Sequence, residues 1–327
     1  METNRKKTVF IGAGTIGTAL GNIIAETGRS EVILHSIESN VVGAINQTGI
    51  NNKYFPAFRL DPGLKATTDN TILSTADIIF LAIPSVILID YLSVIREHIL
   101  PDTILVNLAK GFGNGHKTII KSLQEQFPNP VCTMKGPSFA KEIINHIPTG
   151  FTLGTENDQI RSSVSNLFTG TTIYLDHSTD VTGVELLSIL KNIYAIAMGI
   201  TDAHYDSANI RFLILTKAFN EMRNILLTFK GSEDTLYKYC GYGDFTLTAL
   251  NDLSRNRTLG LLIGKGFFTE NVSHDLVLEG RIAVNVFYEE ISKIRDITNE
   301  FPIITELYKI LNGKYDIPAF VNTLLRF

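Results

Sequence analysis

Cysteine is nearly absent from this chain. The two in 327 residues, Cys132 and Cys240, exclude a disulfide framework and the paired Cys and His spacing of a structural zinc site, and they fit a reducing compartment. Positive charge is not in excess either: 29 lysines and arginines face 33 aspartates and glutamates, for a formal net charge of -4 and a pI near 6.0. That balance offers no broad attraction for nucleic acid or an anionic membrane, so any phosphate recognition has to be local. Long unbroken apolar runs are also lacking. The most membrane-like window, Ala76 to Ile95, is interrupted by Asp77, Pro84, Ser85 and Asp90 and reads as a buried strand, a turn and a helix. Met1 to Lys7 lead straight into a short apolar run, without the long apolar segment or small-residue cleavage site of a secretory leader. The expectation is a soluble, cytoplasmic protein with no membrane partner, no nucleic-acid partner and no metal. Its length favours two domains, each large enough to bury a core.

What is present is a change of rhythm. The first half alternates short apolar runs with helical stretches; Thr8 to Ile11, Val32 to Leu34, Ile78 to Ile83, Ile104 to Asn107 and Val131 to Met134 are the clearest strands. Gly150 to Leu153 and Thr172 to Leu175 add two more around a helical segment. This pattern predicts an α/β fold, a mostly parallel, doubly wound, Rossmann-like sheet over residues 1–178. From Thr179 the periodicity is helical nearly to the end, with long stretches at Val181 to Ala203, Ala208 to Phe229 and Glu279 to Ile294. Residues 179–327 are therefore expected to form an all-α domain.

At the junction of the first strand and its helix stands Gly12-Ala-Gly14-Thr15-Ile16-Gly17. Gly12 permits the tight turn, Gly14 lets backbone amides approach a pyrophosphate, and Gly17 lets helix and strand pack closely, while the helix N-terminus supplies partial positive charge. A bare Gly-x-Gly-x-x-Gly is often only a flexible turn. Here a strand precedes it, an amphipathic helix follows, and a second strand arrives at Val32. The acid expected about 20 residues further on to grip the adenosine ribose is Glu38, which could equally be a first-turn acid of the next helix. With no Arg or Lys in the stretch from His35 to Glu38 to receive a 2'-phosphate, NAD is favoured over NADP.

From Val184 to Ile200 the helix is apolar around most of its circumference, and its polar residues Glu185, Ser188, Lys191 and Asn192 fall at three- and four-residue spacings leading into Ala195 and Gly199. Such a stripe suits a helix lining a cleft, or else one with a solvated edge. In a cleft, Lys191 has the chemistry that carbonyl reduction requires: an ammonium within hydrogen-bond reach stabilises the developing alkoxide and donates the proton. A nearby carboxylate would hold it.

Seven segments in register then resemble the NAD(P)-dependent glycerol-3-phosphate dehydrogenases, bacterial type, over essentially the whole chain. They are the glycine loop, Asn52-Lys-Tyr-Phe-Pro56, Lys110-Gly111, Gly136-Pro-Ser-Phe-Ala-Lys-Glu142, Lys191-Asn192, Asn209 to Met222, and Gly243-Asp-Phe-Thr-Leu-Thr248 followed by Ser254-Arg-Asn-Arg257. The resemblance implies a Rossmann-like domain, a helical domain, an active site in the cleft between them, and interconversion of dihydroxyacetone phosphate and sn-glycerol 3-phosphate. It implies Lys191 as proton donor and acceptor, Lys110 as a second lysine contacting substrate and cofactor, and Asp244 and Thr248 near the reacting end. A cap for the helix after Gly241-Tyr-Gly is the plain alternative for Asp244. Ser254, Arg255 and Asn256 resemble the phosphate contacts, with Asn192 beside the substrate, and a helix starting at Ser254 would add its free amides. Without the resemblance, Arg255 and Arg257 read as a solvated basic turn. Gly136, Ser138 and Ala140 resemble cleft contacts, Val277 and Glu279 positions lining the cofactor site, and a homodimer is implied.

The chain departs from that family at Ile37, where many bacterial members carry arginine, at Ala249 for a frequent cysteine and Leu250 for a frequent threonine. It departs also in the apolar run Val86-Ile-Leu-Ile89. Two other readings stand beside this one: a sister dehydrogenase acting on another small phosphorylated or carboxylated molecule, and a non-catalytic dinucleotide sensor. Lys191 argues against the sensor, since a buried lysine is costly to keep without a task.

Overall fold

The computed structural model describes residues 5–267, 274–313 and 316–326, and of 274–279 the backbone alone. Its contacts divide the chain into two compact units, Met1–Glu185 and Leu186–Phe327.

In the first unit eight strands, β1 (Lys6–Ile11), β2 (Ser30–His35), β3 (Leu64–Thr67), β4 (Ile78–Leu81), β5 (Ile104–Asn107), β6 (Val131–Lys135), β7 (Thr149–Gly154) and β8 (Ile173–Ser178), form one sheet ordered β3-β2-β1-β4-β5-β6-β7-β8. All neighbours run parallel except β6 and β7. Alternate residues feed opposite faces: Phe10, Val32, Leu34, Ile78, Phe80 and Val106 enter one apolar cluster, and Val9, Ile11, Ile33, Ile79, Leu81 and Leu105 the other. Strands apolar on both sides need helices on both faces. Helices α1 (Thr15–Glu26), α2 (Ser39–Thr48), α5 (Ala140–Ile144) and α6 (Asp158–Leu167) pack on the first cluster, and α3 (Ser85–Ile95) and α4 (Ile119–Gln126) on the second. The seven expected strands are all present. The one not expected, β3, is a short edge strand, Leu-Lys-Ala-Thr, in which only Leu64 and Ala66 are buried apolar residues.

From β1 the chain winds outward through β2 and β3, then returns to place β4 on β1's other side. That reversal opens a crevice beyond the carboxyl ends of β1 and β4, the usual ligand position in such sheets.

The second unit is helical among the described residues, as the periodicity predicts. Helix α7 (Val181–His204) begins in the first unit and is followed by α8 (Ala208–Thr228), α9 (Glu233–Leu236), α10 (Asp244–Leu250), α11 (Arg255–Gly264), α12 (His274–Ser292), α13 (Ile297–Glu300), α14 (Pro302–Leu311) and α15 (Ile317–Arg326). Among the described residues α7 alone is long and apolar enough to cross a membrane, yet 94% of its apolar window is buried in the protein. The small residue Gly199 does not leave an open groove: a Cβ there would stand 2.2 Å from the Arg257 carbonyl oxygen, and one on Gly260 would stand 2.1 Å from that of Ile196. Glycine on both helices lets α7 and α11 touch backbone to backbone.

Candidate active site

The glycine loop joins β1 to α1. Gly12 has φ +111°, and a Cβ there would lie 2.5 Å from the Ala82 carbonyl oxygen; Gly17 has equally little room, 2.2 Å from the oxygen of Gly12. At Gly14, by contrast, a Cβ would meet nothing within 4 Å. Gly14 caps α1 without a side-chain bond, and the first turn, which starts with Thr15, Ile16 and Gly17, has no acid. The opening amides of a twelve-residue helix are thus offered to an anion. The Gly12 amide donates to the His35 carbonyl oxygen (2.8 Å). Asn51 braces the loop, its Nδ2 donating to the oxygens of Ala13 (2.9 Å) and Thr18 (Oγ1, 2.9 Å).

Around this loop a cleft of about 230 Å³ is lined by Gly12, Gly14, Ser36, Ile37, Glu38, Tyr54, Ile87 and Tyr91, among others. Its position is the sheet's reversal point, and its lining is largely apolar with few polar groups, as a nucleotide site requires. Ile37 and Ile87, two of the departures seen in sequence, both face it. Burial pushes the His35 imidazole below its ordinary value, against the opposing bond from Nε2 to Asn70 Oδ1 (2.8 Å). Glu38 occupies the cap position of α2 without capping it; its carboxylate instead accepts from Lys53 Nζ and from the Tyr54 hydroxyl (3.1 Å). The Lys53 ammonium holds the Glu38 carboxyl below its usual range.

Beyond β5 and β6 two lysines exchange partners. Lys110 Nζ donates to the Gly136 carbonyl oxygen (3.3 Å) and to Ser138 Oγ (3.4 Å), whose hydroxyl also reaches the Gly136 oxygen (2.9 Å). Lys135 Nζ reaches back to the carbonyl oxygens of Asn107 (3.0 Å) and Ala109 (2.6 Å). Lys135 is fully buried, and Glu185 Oε1 lies 3.5 Å from its ammonium. That carboxylate also accepts from Asn107 Nδ2 (2.6 Å), Thr133 Oγ1 (2.7 Å) and the Ile120 amide (2.9 Å). Gly136 is obligatory on space, since a Cβ would lie 2.4 Å from the Gly150 oxygen. Ala140 opens α5 and is half-buried.

In the helical unit Lys191 is buried and donates to Asp244 Oδ1 and to Thr248 Oγ1 (3.0 Å). The carboxylate expected beside this lysine is Asp244. It does not cap α10: the cap is Gly243, after a π-helical turn over Tyr239–Gly243, and Asp244 is the first helical residue. Four residues on, Thr248 shares its face of the helix and donates to the Asp244 carbonyl oxygen (2.7 Å). Behind this pair, Tyr194 packs edge-on against Phe245 (centroids 6.3 Å apart) and donates its hydroxyl to Glu221 Oε1 (2.9 Å). Glu221 also accepts the amides of Ile303 (2.9 Å) and Ile304 (2.8 Å) at the start of α14. Burial outweighs these three donors and pushes the Glu221 carboxyl up to about 7; burial likewise raises Tyr194.

Ser254 caps α11 as expected, accepting the Arg257 amide (3.3 Å). Arg255 is exposed in the first turn and Asn256 half-buried beside it. Arg257 is no solvated turn residue: it is buried, paired with Asp252 and with Asp202 (2.7 Å), which also holds Arg211 (2.8 Å). Asn192 is half-buried and donates to the Ser188 carbonyl oxygen (3.5 Å). Val277 and Glu279 lie on α12, and their side chains fall outside the described residues. Sequence reasoning missed Asn51, Lys53, Lys135, Tyr194 and Glu221. Of these, Lys53 carried a signal in the Asn52-to-Pro56 segment, as did its neighbour Tyr54, and Glu221 one in the Asn209-to-Met222 segment.

Both halves of the chain match known proteins. The profile described as NAD-dependent glycerol-3-phosphate dehydrogenase N-terminus matches residues 7–161, and the one described as its C-terminus matches residues 180–322. A glycerol-3-phosphate dehydrogenase [NAD(P)+] of Methanothermobacter thermautotrophicus is 34% identical over 319 residues, 95% of each chain. One from Clostridium botulinum is 33% identical, covering 98% of this chain and 97% of its own. The crystal structure of glycerol-3-phosphate dehydrogenase from Coxiella burnetii matches with a TM-score of 0.90 and 28% identity over 99% of both chains. On these matches, which run nearly the full length of the chain, it belongs to the NAD-dependent glycerol-3-phosphate dehydrogenase family.

Proposed function

We propose that this chain interconverts dihydroxyacetone phosphate and sn-glycerol 3-phosphate with NAD as the preferred cofactor and NADP as the second. The observation that carries the reading is the buried ammonium of Lys191, held by Asp244 and Thr248. When bound, the nicotinamide cofactor supplies or accepts the hydride at the substrate's C2. Lys191 Nζ gives a proton to the C2 oxygen during reduction and takes it back during oxidation, so the ketone becomes a secondary alcohol with no charge left on oxygen. Asp244 fixes the ammonium and balances its charge in a buried setting; Thr248 holds it from the next turn of α10. Gly12, Gly14, Thr15, Ile16 and Gly17 receive the pyrophosphate on uncapped amides. Glu38 takes the adenosine ribose, and Ala140, Val277 and Glu279 complete the cofactor contacts.

Lys110, with Gly136 and Ser138, contacts substrate and cofactor. Ser254, Arg255 and Asn256 take the substrate phosphate, with Asn192 beside it and Arg255 also near the cofactor. Residues 1–178 serve as the dinucleotide-binding domain and 179–327 as the catalytic one. The buried cysteines Cys132 and Cys240, which form no disulfide, fit a cytoplasmic setting, and exposed Phe212, Tyr237 and Tyr242 are compatible with the homodimer that the family resemblance implies.

The test follows the absorbance of NADH and of NADPH with dihydroxyacetone phosphate, for the wild type, Lys191→Ala and Arg255→Ala. Substrate-dependent oxidation that vanishes in Lys191→Ala, with a strongly raised KM in Arg255→Ala, is expected. A wild type that binds both cofactors and reduces nothing overturns the substrate assignment.

A further inference from the structure

The pair at the ribose end of the glycine-loop cleft is unusual in its arithmetic. A lone carboxylate after β2 accepts the ribose 2'-hydroxyl and repels a 2'-phosphate. Here Glu38 does not stand alone, because Lys53 Nζ is ion-paired with it and the Tyr54 hydroxyl bonds its other oxygen. The formal charge of the subsite is therefore zero rather than minus one. Glu38 and Tyr54 line the same cleft as Gly12 and Gly14; Lys53 stands behind that lining on its pair with Glu38, and among the described residues no lysine or arginine is part of the lining itself.

The lysine is held there by the turn it sits in. Asn51 Oδ1 accepts the Tyr54 amide (3.3 Å), the Asn51 carbonyl accepts that of Phe55 (2.8 Å), and Asn51 Nδ2 is tied to the glycine loop itself. Any shift of this turn would have to break bonds to the loop that receives the pyrophosphate. The Lys53 ammonium further rests over the Tyr54 ring, 5.0 Å from its centroid. Its side chain stays about half exposed, so it can leave Glu38 for an incoming anion without crossing packed structure.

We infer that Lys53 is a specificity-determining residue of the cofactor site: by neutralising Glu38 it weakens the exclusion of a 2'-phosphate, and it is itself the cation that a 2'-phosphate meets. The inference rests on the reading of the glycine-loop cleft as the dinucleotide site. It makes the chain's preference for NAD shallow rather than strict. Glu38 accepts the 2'-hydroxyl when NAD is bound, and Lys53 turns to the phosphate when NADP is bound.

The test uses titration calorimetry of the full chain with ADP-ribose and with 2'-phospho-ADP-ribose, fragments that lack the nicotinamide and report binding without turnover. Wild type, Lys53→Met, Glu38→Gln and the double variant are compared. Lys53→Met is expected to weaken 2'-phospho-ADP-ribose about tenfold, as loss of a charge-assisted bond to a phosphate does, and to leave ADP-ribose within about twofold. Glu38→Gln is expected to strengthen the phosphorylated fragment by about the same factor, and the double variant to lose that gain. Equal effects of Lys53→Met on both fragments, or a Glu38→Gln gain that survives in the double variant, would overturn the assignment. If the wild type binds neither fragment while Gly12→Ala changes nothing, the cleft reading itself is wrong. Wild-type binding with an indifferent Lys53 overturns only the role given to this lysine.

Discussion

Glu221 gives the helical unit a stability that falls as pH rises. In the folded protein its carboxyl is pushed from an ordinary 4.5 up to about 7 by complete burial. A difference of that size is worth about 3 kcal/mol at about 1.4 kcal/mol per pKa unit. Between pH 4.5 and 7 the folded state keeps a proton that the unfolded state has released. Raising pH therefore draws the equilibrium toward unfolding, with the full contribution present below 4.5 and lost by the time pH passes 7. Other groups titrate in the same window, so the quantity to measure is the difference between the wild type and Glu221→Gln, in which only this titration is removed. Urea unfolding followed by circular dichroism at a series of pH values from 4.5 to 8 should show the wild type's advantage shrinking by about 3 kcal/mol across that range. The opposing physics is explicit: two backbone amides at the start of α14 and the Tyr194 hydroxyl all favour the charged form, and such donors can hold a carboxylate low. A flat difference, or one that grows with pH, would mean that these three bonds outweigh burial and that the reasoning fails.

Four further variants have expected outcomes. Lys191→Ala should lower kcat by about a thousandfold, the usual weight of a general acid, while NADH binding measured by fluorescence stays within about twofold; Asp244→Asn should lower kcat with a shifted pH profile, because the ammonium loses its balancing charge. Gly12→Ala should destabilise the chain by about 1–3 kcal/mol in thermal unfolding, since it forces a side chain into φ +111° and against the Ala82 carbonyl, and it should abolish nucleotide binding. Lys135→Met should cost about 3–5 kcal/mol by leaving Glu185 buried without its cation, and adding Glu185→Gln should recover part of that loss in a double-mutant cycle.

Much of the first unit was readable because its signals are local. Short runs of Val, Ile and Phe mark strands buried on two faces, and the glycine spacing has meaning once a strand precedes it and a helix follows. β3 escaped because Leu-Lys-Ala-Thr at a sheet edge alternates like many surface segments. Lys191 was legible from its setting in an apolar helix, yet the stripe to which it belongs does two different jobs. Glu185, at its start, bonds Asn107, Thr133 and the Ile120 amide of the sheet-bearing unit, while Lys191 bonds Asp244 and Thr248 in the helical one. Periodicity reports that the residues share a face and is silent on what that face meets along its length. For the same reason the change to helical rhythm falls at Thr179, whereas the contacts divide after Glu185: a helix begins where its backbone bonds begin, but belongs to whichever core its side chains serve. Lys135 shows the limit most sharply. Val131 to Met134 reads as a strand, and nothing nearby in sequence announces the buried carboxylate fifty residues on or the carbonyls of Asn107 and Ala109 that receive the ammonium of the next residue, Lys135. Charges buried by long-range partners stay invisible to local pattern, and in this protein those partners steady the residues on which the proposed chemistry depends: Lys135 and Glu185 behind Lys110, Tyr194 and Glu221 behind Lys191.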